Sequence, residues 1–161
     1  MGITATLYAL TSEEFDNLPT DDFEIIEVLI PVDIHSNPRF FDLQKEWSII
    51  HYLLCGAVEP DGSVLGDAVL GGVETHIEMD FGRARYRAPE QVAEISAALA
   101  LVDLRELFEK ADTSSSAFKD VYLGEVFLEE GVESIKPMFA SLLQFYAKTA
   151  SEEKAILSYL S

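Results

Sequence analysis

Both ends of this chain read as strands, and that constrains its fold more than anything between them. In Ile3–Leu10 the apolar set Ile3, Ala5, Leu7 and Ala9 alternates with Thr4, Thr6 and Tyr8. A period of two predicts a strand with one face buried. Residues 155–161 predict a closing strand. Terminal strands with helices between them imply an α+β fold, a small sheet including both ends of the chain with several helices packed against it, rather than the regular alternation of a doubly wound fold. The 161 residues suit one domain, so 1–161 is expected to fold as a single unit, and no internal repeat is visible.

The middle is punctuated by recognisable caps. Thr11-Ser-Glu-Glu14 has capping-box spacing before Phe15 and Leu18, and Pro19 closes the helix. Phe23–Val32 fits either helix or strand. Asp42 is the expected N-cap of a helix to Cys55, stopped by Gly56, with Leu43, Trp47, Ile50 and Leu54 on one narrow stripe. Pro60-Asp-Gly62 is turn chemistry, and Glu74–Asp80 alternates weakly, as strand or loop. Arg83–Ala88 alternates up to Pro89, which opens a helix with Val92, Ile95, Leu99 and Val102 on one face, running to about residue 101. Asp103 caps another over 104–110, and Asp112–Ser116 is a surface loop. A helix from Ser134 carries Ile135, Phe139, Leu142 and Tyr146 on its apolar stripe. With Ser134 as N-cap, Pro137 falls in the first turn, where its missing N–H has no partner to lose.

Charge narrows the function classes. Eleven basic residues against 29 acidic give a net charge of −18, beyond the roughly 2–8 usual for a small domain. Nucleic acid and anionic membranes would be repelled, whereas a basic protein, a cation or a basic ligand would be drawn in. The acid is uneven. Glu13, Glu14, Asp16, Asp21, Asp22, Glu24, Glu27 and Asp33 all precede the first cation, Arg39, and a second acidic stretch runs from Asp120 to Glu133. Conversely, Arg83, Arg85 and Arg87 are three of only five arginines. A lone cysteine, Cys55, a start without signal-peptide character and the lack of a spanning apolar run point to a cytoplasmic protein.

Several blocks carry a family resemblance: Met1-Gly2 leading into a strand, the helix from Leu43 to Gly56 containing Trp47, His51, Tyr52, Leu53 and Leu54, the segment Gly82–Val92, and the ending from Phe145 to Ser161. In these the chain resembles the YfbM-like family of bacterial domains, to which no function is assigned. The resemblance implies an α+β fold and a cytoplasmic bacterial protein, and brings no catalytic residues with it. The chain departs from the family pattern at Cys55 and Ala88, where threonine is expected. Alanine at position 88 removes a helix N-cap worth about 0.5–2 kcal/mol.

No catalytic, cofactor or metal motif is present: His35, His51 and His76 lack metal-ligand spacing, and there is no nucleophile elbow, Walker loop or dinucleotide fingerprint. His51 lies about 80° from the centre of its helix stripe, at the margin of core and solvent. As a general base it lacks any nucleophile or orienting acid that sequence can pair with it. Arg83, Arg85 and Arg87 project from one face of their strand, either to grip a carboxylate or phosphate or to pair with the chain's own acids. Trp47 and Tyr86 are expected in the core. Two readings follow. The first is a non-enzymatic binding module for a basic protein, of which inhibitor or immunity-type sequestration is the sharpest version. The second is an enzyme or sensor that binds a small anionic ligand near Arg83, Arg85, Tyr86 and His51.

Overall fold

The computed structural model describes residues 2–161. Five strands, β1 (Ala5–Leu10), β2 (Phe40–Asp42), β3 (Val73–Met79), β4 (Gly82–Arg87) and β5 (Ala155–Leu160), form one antiparallel sheet in the order β2-β1-β5-β4-β3. The terminal strands lie side by side in the sheet interior, with Leu7 opposite Ser158 and Leu10 opposite Ala155. Around it pack α1 (Ser12–Asp16), α2 (Asp22–Leu29), α3 (Trp47–Cys55), α4 (Pro89–Leu99), α5 (Leu104–Lys110), α6 (Gly124–Glu130) and α7 (Val132–Ser151). The fold is α+β, as the terminal strands imply.

Helices cover both faces of the sheet, which corrects the expectation for β1. All six of its residues are buried, not one alternating face. Ala5, Leu7 and Ala9 enter the larger core, shared with α3, α4 and α7. Tyr8 and Leu10 enter a smaller one with Ile25 and Leu29 of α2 and Ile77, Ala84, Leu157 and Tyr159 of the sheet. Tyr8 looks polar in the sequence but packs in that smaller core, and Thr6 is buried in the same strand.

Local chemistry sets most helix starts. Thr11 Oγ1 accepts from the Glu14 N–H at 3.0 Å and Glu14 Oε1 from the Thr11 N–H at 3.1 Å, the reciprocal cap the sequence predicts. Asp21 Oδ1 accepts from the N–H groups of Phe23 and Glu24, and the ambiguous 23–32 segment is helix as far as Leu29 and turn beyond it. Asp103 caps α5 and Pro89 opens α4. At Ala88 half of the reciprocal cap survives: Gln91 Oε1 accepts from the Ala88 N–H at 3.0 Å, with no hydroxyl to answer it.

Three boundaries differ from expectation. Asp42 ends β2, paired with Thr6, so its backbone is committed to the sheet, and a single 3₁₀ turn over Gln44–Glu46 precedes α3. Helix α4 stops at Leu99 rather than near residue 101. Helix α7 begins at Val132, and the Ser134 hydroxyl, already inside its first turn, donates back to the Gly131 carbonyl at 2.7 Å instead of capping. Pro137 therefore sits inside the helix, on its exposed side, where water can reach the carbonyl it leaves without a donor. Gly56, at φ 71°, ends α3 in the left-handed conformation that glycine adopts without strain.

Candidate functional site

Alternation along β4 does send Arg83, Arg85 and Arg87 to one face, as predicted, but the three meet different fates. Arg83 lies 3.8 Å from Glu74 and 3.5 Å from Glu78, and Arg85 lies 3.3 Å from Glu74 and donates to the Gly72 carbonyl at 3.3 Å. The opposing carboxylates come from β3, which is paired with β4. Arg87 is 0% exposed. Its Nε donates to the Asp67 carbonyl and its Nη2 to the Val69 carbonyl at 2.8 Å, while the Tyr146 hydroxyl donates to the carbonyl of Ala68 between them. Three successive loop carbonyls are thus taken by two side chains, which clamp the loop after Pro60 onto β4 and α7. Gly72 follows at φ +97°, where a Cβ would stand 2.6 Å from the Tyr86 carbonyl oxygen and force the loop off the strand. Burial pushes the Arg87 guanidinium below its ordinary value, against the opposing pull of Tyr146 and Asp67. Arg87 is a structural clamp and not an available ligand contact.

His51 is also interior. The wheel places it at the core margin, yet it is 1% exposed, because eight of the nine residues of α3 are buried and the helix has no solvent side. Its Nε2 is 3.5 Å from Cys55 Sγ, and the thiol is held by the carbonyls of His51 and Ala57. Burial pushes the imidazole below its ordinary value and favours the neutral ring; nearby Arg87 acts the same way, and the Glu59 main chain and the Glu59 and Asp61 carboxylates oppose it. Burial likewise raises the Cys55 thiol, which keeps it protonated and a poor nucleophile.

Tyr86 points to the other face of the sheet, stacked on Phe15 of α1 with ring centroids 4.0 Å apart. The residues proposed for a small anionic ligand, Arg83, Arg85, Tyr86 and His51, therefore do not converge. An open cleft of about 650 Å³ does lie over the sheet beside Arg83 and Arg85. Neither His51 nor Tyr86 lines it, and its two arginines face three carboxylates, Glu59, Glu74 and Asp120. Two cations against three anions make a poor anion site, so this reading is set aside. Among the described residues no three of His, Cys, Asp and Glu gather as metal ligands, and no helix is long and apolar enough to cross a membrane.

The acidic surface presents a different geometry. Of the eight carboxylates from Glu13 to Asp33, only Glu14 has a cationic partner among the described residues, Arg39. Partial burial pushes the Glu14 carboxyl up, but Arg39 and the Thr11 N–H outweigh it and hold the group below its ordinary value. Arg39 has further partners, since it also donates to the Ala9 carbonyl at 3.0 Å and lies over the Tyr8 ring. The other seven carboxylates stand in solvent around α1 and α2, and between them α2 exposes Phe23, Ile26 and Ile30. Sequence reasoning missed that apolar row. The signal was present in its spacing of three and then four residues, but it was hidden while the segment stayed undecided between helix and strand.

A family model described as a domain of unknown function (DUF1877) matches residues 1–159. No curated protein matches. Among solved structures the chain is similar to YfbM from Escherichia coli, described as a protein of unknown function, with 20% identity over 98% of this chain and 99% of that one and a TM-score of 0.75. At that identity the likeness speaks for the fold alone.

Proposed function

We propose that this chain, which belongs to the family described as a domain of unknown function (DUF1877), acts as a non-enzymatic binding domain for a basic protein, with sequestration of an inhibitor or immunity type as its sharpest form. One observation carries the reading: seven of the eight carboxylates from Glu13 to Asp33 have no internal cation among the described residues. Self-repulsion among them costs stability in the free domain and is relieved when a cationic surface docks. The arginine row offers no comparable outward charge, because two of its members face β3 carboxylates and the third is buried. A net charge of −18 supports rapid steered encounter with such a partner and disfavours nucleic acid and anionic lipid. A lone cysteine, which leaves no intramolecular disulfide to form, suits a reducing cytoplasm, where we place the domain.

Affinity capture on the immobilised domain, eluted in steps of rising salt, tests this. The expected result is a basic protein released as screening shortens the reach of the charges to about 3 Å near 1 M salt. Recovery of no specific protein, or of acidic proteins that stay bound in high salt, overturns the proposal.

A further inference from the structure

The geometry points to the solvent face of α2 as the docking site, and to a partner surface that presents apolar anchors ringed by lysine and arginine; this rests on the basic-partner reading above and locates it. Helix α2 carries two apolar rows. Ile25 and Leu29 turn inward and are buried in the smaller core. Phe23, Ile26 and Ile30 turn outward and are 85%, 39% and 44% exposed. At 1.5 Å per residue the outward row spans about 10 Å, room for two or three partner side chains. Ile26 also lines a groove of about 300 Å³ between α2 and β3. An exposed apolar centre inside a charged rim is how a recognition patch is built, with the buried centre carrying most of the binding energy.

The rim selects the occupant. Asp22, Glu24, Glu27 and Asp33 surround the row, and none has an ion-pair partner among the described residues. The last turn of α2 has no basic residue, so the negative pole of its dipole is also unanswered. A second copy of the chain is disfavoured, since a two-fold contact over α2 would bring both sets of carboxylates together. A membrane is disfavoured too, because surface-seeking helices carry lysine and arginine where α2 carries aspartate and glutamate. Cationic protein is the complement that remains. The buried Tyr159 hydroxyl donates to the Leu29 carbonyl and ties the end of α2 to the central strand.

The test uses the full chain and two short helical peptides as probes. One is built of leucine and lysine with leucines along one face; the other has the same lysines with serine for leucine. Titration followed by backbone amide shifts is expected to move residues 22–33 with the leucine–lysine peptide. Phe23→Ser with Ile26→Ser should weaken that binding about tenfold or more, and Glu24→Gln with Glu27→Gln should weaken both peptides. The serine–lysine peptide should be indifferent to the apolar double variant. Far-ultraviolet dichroism and the urea midpoint confirm that each variant is folded. Unchanged affinity in the apolar double variant, or shifts confined to α6, overturns the α2 site while leaving the basic-partner reading in place. Failure of both peptides to bind overturns both. A concentration-dependent dimer dispersed by Phe23→Ser makes a second copy the occupant and also overturns the proposal.

Discussion

The two acidic stretches look alike in sequence and differ in the folded chain. Between Lys119 and Lys136 five carboxylates follow one another with no intervening lysine or arginine, and of these only Glu133 has a cationic partner among the described residues, being approached by both Arg105 and Lys136. The exposed apolar residues there are Leu123, which precedes α6, and Val126 and Leu128, which are two positions apart on the helix and point to different sides. From Glu13 to Asp33 the exposed Phe23, Ile26 and Ile30 fall in one row along α2, with Val32 exposed just beyond it. Acid content alone therefore distinguishes nothing, and neither does pairing, since one carboxylate is answered internally in each stretch; what separates the regions is the number left unanswered, seven against four among the described residues, and whether apolar surface is aligned among them. The cations repeat the lesson, since Arg87 and Arg39 are spent on carbonyls and a carboxylate of their own molecule.

The comparison breaks first at Arg87, where the largest effect is expected. If the basic row is committed inward, Arg87→Ala strands the carbonyls of Asp67 and Val69 and should cost about 3 kcal/mol in urea unfolding. A loss below about 0.5 kcal/mol would return Arg87 to the list of available contacts. His51 gives a related check through pH. Its folded value lies below the ordinary 6.5, so the unfolded chain takes up the proton first. Its contribution to stability is complete above pH 6.5 and is lost as pH falls through the lower folded value. His51→Gln should flatten that part of the pH–stability curve.

Smaller effects sharpen the contrast within the first acidic stretch. Thr11→Ala removes the cap that Glu14 completes and should cost about 1 kcal/mol in thermal or urea unfolding, whereas Asp33→Asn should change stability by less than about 0.5 kcal/mol. Ala88→Ser restores the missing half of its cap and should add about 0.5–1 kcal/mol. Charge reversal is the finest probe. Glu27→Lys relieves unanswered repulsion and should raise stability by a few tenths of a kcal/mol, roughly the size of a helix-surface pair, while Glu133→Lys breaks two exposed pairs and should lower it by a similar amount. Equal signs for the two reversals would erase the distinction.

What was legible in the sequence was what neighbours within four residues decide. The Thr11–Glu14 box, the Asp103 cap, Pro89 at a helix start and Gly56 at a helix end all act locally, and all are found where predicted. What was not legible depends on layers. The period of β4 gave the face of Arg87 but not its burial, which comes from a loop folding over that end of the sheet. The wheel angle of His51 assumed that α3 had a solvent side, and the helix has none. The outward row on α2 needed the segment to be known as helix, and the Asp21 cap that decides this sat two residues before the hydrophobic run.

Amide hydrogen exchange, with and without the leucine–lysine peptide, tests the central contrast most directly because it reports on both acidic stretches in one experiment. The account predicts slowed exchange across residues 22–33 and none across 120–133. Protection confined to 120–133 would contradict it.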